Sequence, residues 1–408
     1  SPAAVLVVAV AAPILARAPG PRSKAVRWAR AQALLADLYS IVASVCAERA
    51  IPSHLGGDEP GTVDARVVLV DRDARAGVSL SHPGEANCTP VLGLAAFAAT
   101  VHPWRTVFHA SGEPGYELLA AFLALAEGRQ KLLQSQIVVV EGGLSLSNPA
   151  PALDASQARG RRGAETGGRD EAVEGYGTVC LGGTFDHLHP GHKLLLHAAV
   201  LLLRVPDADA LESGGEPCVL IVGISGDELL VKKRYAEELQ PWDARARSVV
   251  AFLATALNSP TTAVPVITSA SNDAAAGASS NATELHAAFC NGAVLVRCVD
   301  IRDAFGPTTA EQSIDAIVVS GETRAGGRAI NERREARGWR ALAIYEIDVL
   351  DANGGDDSDD DAADGEATEG ATAAVAAAAA AAAADRFAAK ISSTEIRRQK
   401  AEARSRRR

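Results

Sequence analysis

The segment Thr178–His197, TVCLGGTFDHLHPGHKLLLH, constrains the fold of this chain more than any other. Val179–Leu181 is an apolar run of strand length, and Gly182 and Gly183 break it. A polar stretch from Thr184 to His192 follows, after which Leu194, Leu195, Ala198 and Ala199 recur at helical spacing. A strand that ends in glycines and passes straight into a helix gathers free backbone N–H groups and the positive end of a helix dipole at one point. Such a point is an anion site. His189 and His192 stand at H-x-G-H spacing where that helix begins. Few structural needs require two histidines around a glycine there.

Further strands follow the opening unit: Cys218–Gly223, Ala293–Ile301, Ala316–Val319 and Leu342–Leu350. Cys218–Gly223 is apolar throughout, the pattern of a parallel strand covered on both faces. Pro241 opens a helix running to Leu257, and a polar helix runs from about Ala329 to Arg337. This alternation predicts an α/β domain, Rossmann-like, with a five-stranded parallel sheet. Ligands of such sheets bind at the carboxyl ends of the strands, where strand order reverses. GGTFDHLHPGH, the Lys232–Lys233 loop and the SGET stretch at 320–323 each follow a strand or open a helix, and ISSTEIR at 391–397 begins the last helix. Their positions predict one cleft.

At 408 residues the chain accommodates two domains. Residues 1–145 read as a smaller α/β domain of unassigned role, with strands at Val5–Val10, Arg66–Val70 and Gln136–Val140 and helices at Val26–Ala47 and Tyr116–Ala126. His102 and His109 flank Trp104 and Arg105 and read as ordinary core or surface residues. Residues 146–175, rich in Pro, Ala, Gly, Arg and Asp, read as a flexible linker. Residues 176–408 form the second domain, with low-complexity insertions at about 258–292 and 351–385. The later one joins an acidic block, expected to be disordered, to a polyalanine spacer.

The formal net charge is −10, most of it in the run from Asp351 to Glu369, so neither nucleic acid nor a membrane is expected as a partner. Six scattered cysteines without a C-x-x-C pair suit a reduced, cytoplasmic protein. No uninterrupted apolar run is long enough to span a bilayer. The chain contains no Met and so does not begin at an initiator. Its apolar opening reads as a strand rather than a signal peptide.

The cleft's side chains are cationic and rich in donors, with no paired carboxylates. That favours binding and transfer of phosphate groups over acid–base hydrolysis. No G-x-x-x-x-G-K-[ST] and no G-x-G-x-x-G in the first turn occur, which argues against a P-loop kinase and against dinucleotide redox chemistry.

GTFDHLHPGH together with ISSTEIR is the double signature of the HxGH nucleotidyltransferases. Beyond it, about Tyr176 to Arg398 resembles the eukaryotic-type, fungal-like phosphopantetheine adenylyltransferases, in VGISGDELLVKK, LQPWDAR, the GPT turn, VVSGET with the following AIN, and KISSTEIR. The upstream region is faintly similar to that of the fungal and animal proteins. The resemblance implies adenylyl transfer from ATP to 4′-phosphopantetheine, giving dephospho-coenzyme A and pyrophosphate in coenzyme A biosynthesis.

It further implies that His192 holds the α-phosphate with help from His189, and that Lys233 neutralises the attacking phosphate. Thr184, Phe185 and Lys232 would meet phosphopantetheine. Gly182, Gly183 and Gly191 would let the nucleotide approach, with Gly321, Glu322 and Thr323 near adenine or ribose. Ser392, Ser393, Thr394 and Arg397 would hold the β- and γ-phosphates. Mg²⁺ is expected to bridge phosphates, with no protein metal cage. SGET stands where the bacterial enzymes carry arginines; Arg324 and Arg328 are candidates to compensate, though each reads more simply as a surface residue. Asp186 reads as a cap or turn residue rather than a base. No P-loop follows the transferase motifs, so a separate dephospho-coenzyme A kinase and other enzymes of coenzyme A synthesis are expected partners. Two alternatives stand: another HxGH adenylyl- or cytidylyltransferase, with nicotinamide mononucleotide or FMN as acceptor, and a non-catalytic scaffold for coenzyme A enzymes.

Overall fold

Val179 and Leu181 point to one side of their strand and Cys180 to the other, as the two-residue period of a strand requires, and all three are buried. A strand buried on both sides needs a helical layer on each. The computed structural model supplies both layers. It describes residues 4–17, 24–52, 61–71, 88–100, 104–129, 131–141, 171–257, 284–347 and 392–406.

The first part of the chain contains β1 (Ala4–Ala12), β2 (Leu15–Arg17), β3 (Lys24–Val26), α1 (Trp28–Glu48), β4 (Val63–Asp71), β5 (Leu92–Gly93), α2 (Leu94–Ala99), β6 (Val107–Ala110), α3 (Glu113–Ala126) and β7 (Ile137–Val140). The second contains β8 (Thr178–Gly183), α4 (Pro190–Val200), α5 (Ala208–Glu212), β9 (Cys218–Ser225), α6 (Trp242–Ala256), β10 (Glu284–Phe289), β11 (Val294–Ile301), β12 (Ala316–Val319), α7 (Arg324–Ala336), β13 (Ala343–Glu346) and α8 (Ser393–Arg406).

The large sheet has the order β10-β11-β9-β8-β12-β13. Its five strands from β11 to β13 are parallel. A sixth, β10, adds antiparallel to β11 at the edge, Glu284 opposite Val299 and Phe289 opposite Val294. This enlarges the expected five-stranded sheet and shortens the expected insertion at 258–292, since residues 284–289 are strand. Residues 258–283, most of the predicted linker and the whole insertion at 351–385 lie outside the described residues.

On one face of the sheet, Val179, Leu181, Leu220 and Val222 pack with Leu194 and Leu196 of α4 and Phe252 and Leu253 of α6. The same core continues into Leu35 and Tyr39 of α1 and Val67 and Leu69 of β4. On the other face Cys180, Ile221, Ile317 and Val319 pack with Ile330 of α7. In the first part, β1, β4 and β5 form a parallel sheet, and Val68 and Val70, on the opposite side of β4, meet Phe97 of α2 and Phe122 of α3. Val26 pairs with Val173 just before β8.

By length and composition α1 reaches what a membrane span needs, with a mean hydropathy of 1.2 in its most apolar window. It carries Arg30 and Asp37, and a stripe of Trp28, Ala31, Leu35, Tyr39 and Ala43 is buried. The Trp28 indole donates to Ala198 O of α4 at 2.9 Å. The short β2, β3, β5, α2, β6 and α5 had no signal of their own in the sequence; each is six residues or fewer.

Candidate active site

In the order β9-β8-β12 the chain leaves β8 for strands on one side and returns to the other. Strand order therefore reverses between β8 and β12, and the crevice beyond their carboxyl ends is where such sheets bind ligands. β8 ends there in Gly182 and Gly183. A Cβ on Gly183 would lie 3.1 Å from the Phe185 ring, so glycine lets the turn close against that ring. Phe185 and His187 adopt left-handed backbone at φ 51° and 45°. Non-glycine residues hold such conformations only where the surroundings over-determine them. Here Phe185, Asp186, His187 and Leu188 are all buried.

α4 begins at Pro190, with His189 as its N-cap residue and no side-chain cap. The amides of Gly191 and His192 therefore have no acceptor within the helix. The His189 and His192 rings stack, with centroids 3.9 Å apart and planes at 26°. Phe185 backs His192 at 5.3 Å. A Cβ on Gly191 would lie 3.2 Å from His189 Cε1, so the glycine between the histidines gives the stack its room. Burial pushes the His192 imidazole down to about 3, with the nearby His187 adding to the shift. Its Nδ1 has no partner among the described residues. Two stacked imidazoles over a positive helix end are suited to receive an anion, which would favour protonating His192.

The second half of the site lies more than 200 residues later in the sequence. Ser393 Oγ donates to Asp186 O at 2.9 Å, and Arg397 Nη1 donates to Asp186 Oδ2 at 3.0 Å. Arg397 Nη2 also meets Thr394 Oγ1 at 3.1 Å, and Ser392 Oγ caps the helix by accepting from Glu395 N at 3.2 Å. Lys400 Nζ donates to His187 Nδ1 at 3.3 Å, and Arg404 pairs with Glu238 at 2.7 Å. Asp186 is thus the joint between GTFDHLHPGH and the ISSTEIR helix, in keeping with its reading as a structural residue. Arg397 is almost fully buried against that carboxylate rather than open to solvent.

Arg245 braces the same joint. Its guanidinium donates to Thr184 O at 2.7 Å, Ser225 O at 2.8 Å and Asp227 Oδ1 at 2.6 Å, and its Nε to Gln240 O at 2.9 Å. Gln240 in turn gives its N–H to Asp186 Oδ1 at 3.0 Å and accepts from His187 N at 2.7 Å. LQPWDAR is therefore a structural splint. The sequence offered one sign of it, an arginine on the buried face of a helix.

Gly321–Thr323 form a single turn at the end of β12, closed by Ser320 N donating to Thr323 Oγ1 at 3.0 Å. Arg324 pairs with Glu346 rather than standing open, and Arg328 is exposed. Lys232 and Lys233 lie exposed in the loop after β9, with no side-chain partner among the described residues. The structure thus joins Gly183, Phe185, His189, Gly191, His192, Ser393, Thr394 and Arg397, with Thr184 at the same turn, and shows no hydrogen bond or ion pair from either lysine to them. One buried cation of the site's helix had no counterpart in the sequence reading: Lys193, whose ammonium lies 2.7 Å from Asp64 Oδ1 of β4.

Residues 1–146 match a family described as "Domain of unknown function (DUF8446)". The chain is 29% identical over 234 residues to "Phosphopantetheine adenylyltransferase" of Saccharomyces cerevisiae, a match covering 56% of this chain and 52% of that protein. It is 35% identical over 170 residues to "Uncharacterized protein C1F12.08" of Schizosaccharomyces pombe, covering 42% and 39%. It is 29% identical over 178 residues to "Phosphopantetheine adenylyltransferase" of Pyrococcus abyssi, covering 44% and 82%. The chain thus spans about half or less of the two fungal proteins and most of the archaeal one. A solved structure from Archaeoglobus fulgidus, of a protein with unknown function, matches 43% of the chain at 21% identity with a TM-score of 0.27, too low to bear on the fold. Over about half of its length, then, this α/β chain is similar to proteins named phosphopantetheine adenylyltransferase, a nucleotidyltransferase name.

Proposed function

We propose that the chain is a pantetheine-phosphate adenylyltransferase, moving the adenylyl group of ATP to 4′-phosphopantetheine. The observation that carries this reading is the pair of stacked histidines at a helix N-terminus, locked through Asp186 to a serine-rich second helix start. In the reaction a phosphate oxygen of 4′-phosphopantetheine attacks the α-phosphorus of ATP. The bond from that phosphorus to the bridging oxygen breaks, and pyrophosphate leaves with the electron pair. The nucleophile is already an anion at neutral pH, so positioning and charge stabilisation are what the protein supplies.

His192 and the amides of the first turn of α4 meet the α-phosphate, where negative charge concentrates in the transition state. Ser392–Thr394 offer hydroxyls and helix-start amides to the β- and γ-phosphates. Arg397 acts mainly by fixing that helix to Asp186, since its guanidinium is already engaged there. Lys232 and Lys233, exposed and unengaged, are available to an incoming phosphate. Mg²⁺ belongs to this reading. No group of three or more His, Cys, Asp or Glu suited to a metal occurs among the described residues. The site's His, Ser and Thr side chains would leave Mg²⁺ to arrive with ATP, and it would then supply charge neutralisation at the phosphates.

The test is product analysis with ATP and 4′-phosphopantetheine, and with nicotinamide mononucleotide and FMN as competing acceptors. Dephospho-coenzyme A and pyrophosphate are the expected products. Their absence, or transfer to another acceptor only, overturns the reading. His192→Ala is expected to lower kcat by about 10²–10³-fold, as removal of one charge-stabilising donor does, with an unchanged circular dichroism spectrum.

A further inference from the structure

We propose that Lys193, anchored by Asp64 of the first part of the chain, is a positioning residue that holds the His189–His192 pair in place. The inference rests on the adenylyl-transfer reading of that pair. Lys193 follows His192 directly and is fully buried. Its backbone N–H donates to His189 O at 3.0 Å, so it closes the first turn of α4 across both histidines. Its ammonium leaves the helix for β4, donating to Asp64 Oδ1 at 2.7 Å and Ala65 O at 3.0 Å.

Asp64 is itself held. Arg66 donates to its other oxygen from Nε at 2.8 Å, with Nη2 2.7 Å away. The remaining nitrogen of Arg66 reaches Ala251 O at 2.9 Å and Thr255 Oγ1 at 2.6 Å on α6. The first turn of α4, β4 and α6 are therefore tied through three charged side chains.

Stability alone does not explain a lysine here. Desolvating an ammonium is expensive, and an apolar side chain of the same volume usually serves a core as well or better. Lys193 sits next to Leu194 and near Leu196 and Leu188, all fully buried. An ion pair with fixed donors differs from apolar contact in setting a direction. It fixes the rotation of the helix turn that carries His189 and His192. Trp28, also from the first part, holds the far end of α4 through Ala198 O. The first part of the chain thus acts as a splint for the histidine helix.

The test is Lys193→Met, which keeps the apolar stem and leaves Asp64 paired with Arg66, alongside Asp64→Glu, which keeps both charges and shifts one by a methylene. Each is compared with the full wild-type chain for Tm, for kcat and KM toward ATP and 4′-phosphopantetheine, and for the ring ¹⁵N resonances of His192. Lys193→Met is expected to keep Tm within a few degrees. Its kcat is expected to fall about tenfold or more, within the range that a misplacement of about 1 Å produces, with KM changed far less. The His192 resonances are expected to move. A well-folded Lys193→Met with wild-type kcat and unmoved His192 resonances overturns the proposal. Should Lys193→Met fail to fold, Asp64→Glu is read by the same two criteria. If the wild-type chain makes no dephospho-coenzyme A, the functional reading falls instead, and the His192 resonances alone decide whether Lys193 positions the pair.

Discussion

Replacing Arg397 with methionine tests how the two halves of the site are held. Within α8 only Ile396 and Arg397 are buried. Burying the isoleucine side chain contributes about 2 kcal/mol. The Ser393 and Lys400 hydrogen bonds add about 1 kcal/mol each, and the Arg404–Glu238 pair, largely exposed on the arginine side, adds about 0.5 kcal/mol. Without Arg397 these contacts sum to roughly 4–5 kcal/mol. Removing one member of a buried ion pair costs about 3–5 kcal/mol, because the partner stays behind uncompensated. The two quantities nearly cancel, so α8 releases and Asp186 gains water, while the sheet stays folded. Losing even 3 kcal/mol of support at the phosphate side corresponds to a rise of about a hundredfold in the KM for ATP. Three measurements suffice: pyrophosphate release against ATP concentration, tryptic cleavage at Arg398, Lys400 and Arg404, and Tm. The expected result is a high KM, rapid cleavage in α8 and a Tm lowered by only a few degrees. If α8 stays protected and KM is unchanged, the joint is not where the geometry puts it.

Other outcomes follow from single residues. Gly191→Ala raises the intrinsic helix propensity by about 0.5–1 kcal/mol, but its Cβ would press on the His189 ring at 3.2 Å; turnover falls while Tm holds or rises, in parallel kinetic and thermal assays. His197 is buried in α4, and burial pushes its imidazole down to about 4. Below about 6.5 the unfolded chain takes up that proton first, so stability is lost as pH falls from about 6.5 to about 4, at about 1.4 kcal/mol per pH unit. His197→Leu should therefore reduce the loss between pH 6.5 and pH 5 by about 2 kcal/mol in urea titrations. Arg245→Met strands Asp227 less than it frees Thr184 and Ser225, since Asp227 is more than half exposed; it should lower kcat more than an exposed Arg328→Met, assayed side by side.

Much of the architecture was legible from apolar runs. Ala316–Val319 has the predicted bounds, and α6 starts directly after Pro241. Strand β10 was hidden because ELHAAF has only a weak alternation and adjoins a Ser- and Ala-rich stretch; its partner β11, not its own sequence, makes it a strand. In the site, residue types at fixed spacing identified the histidines and the serine motif, because those chemistries are local. Roles set by distant partners were not legible. Arg397 reads as a phosphate ligand until Asp186 is placed 3.0 Å from it, and nothing beside Lys193 in the sequence points to Asp64, 129 positions earlier. The same holds for Lys232 and Lys233, whose open placement is a property of the turn and not of their identity.

The joint at Asp186 also has a consequence in time. Its partners lie 207 and 211 residues further along the chain, and Lys193 is tied to a residue 129 positions before it. Contacts of such separation form late, after slower searches than local ones. Synthesis proceeds from the N-terminus, so β4 and α1 are present to receive α4 as it emerges, whereas α8 is made after the other elements of the site. During synthesis the histidines can be set before the serine helix exists to close over them. A nascent chain with a finished sheet would thus remain unable to grip a nucleotide's outer phosphates, and competence would arrive in one step once α8 is made.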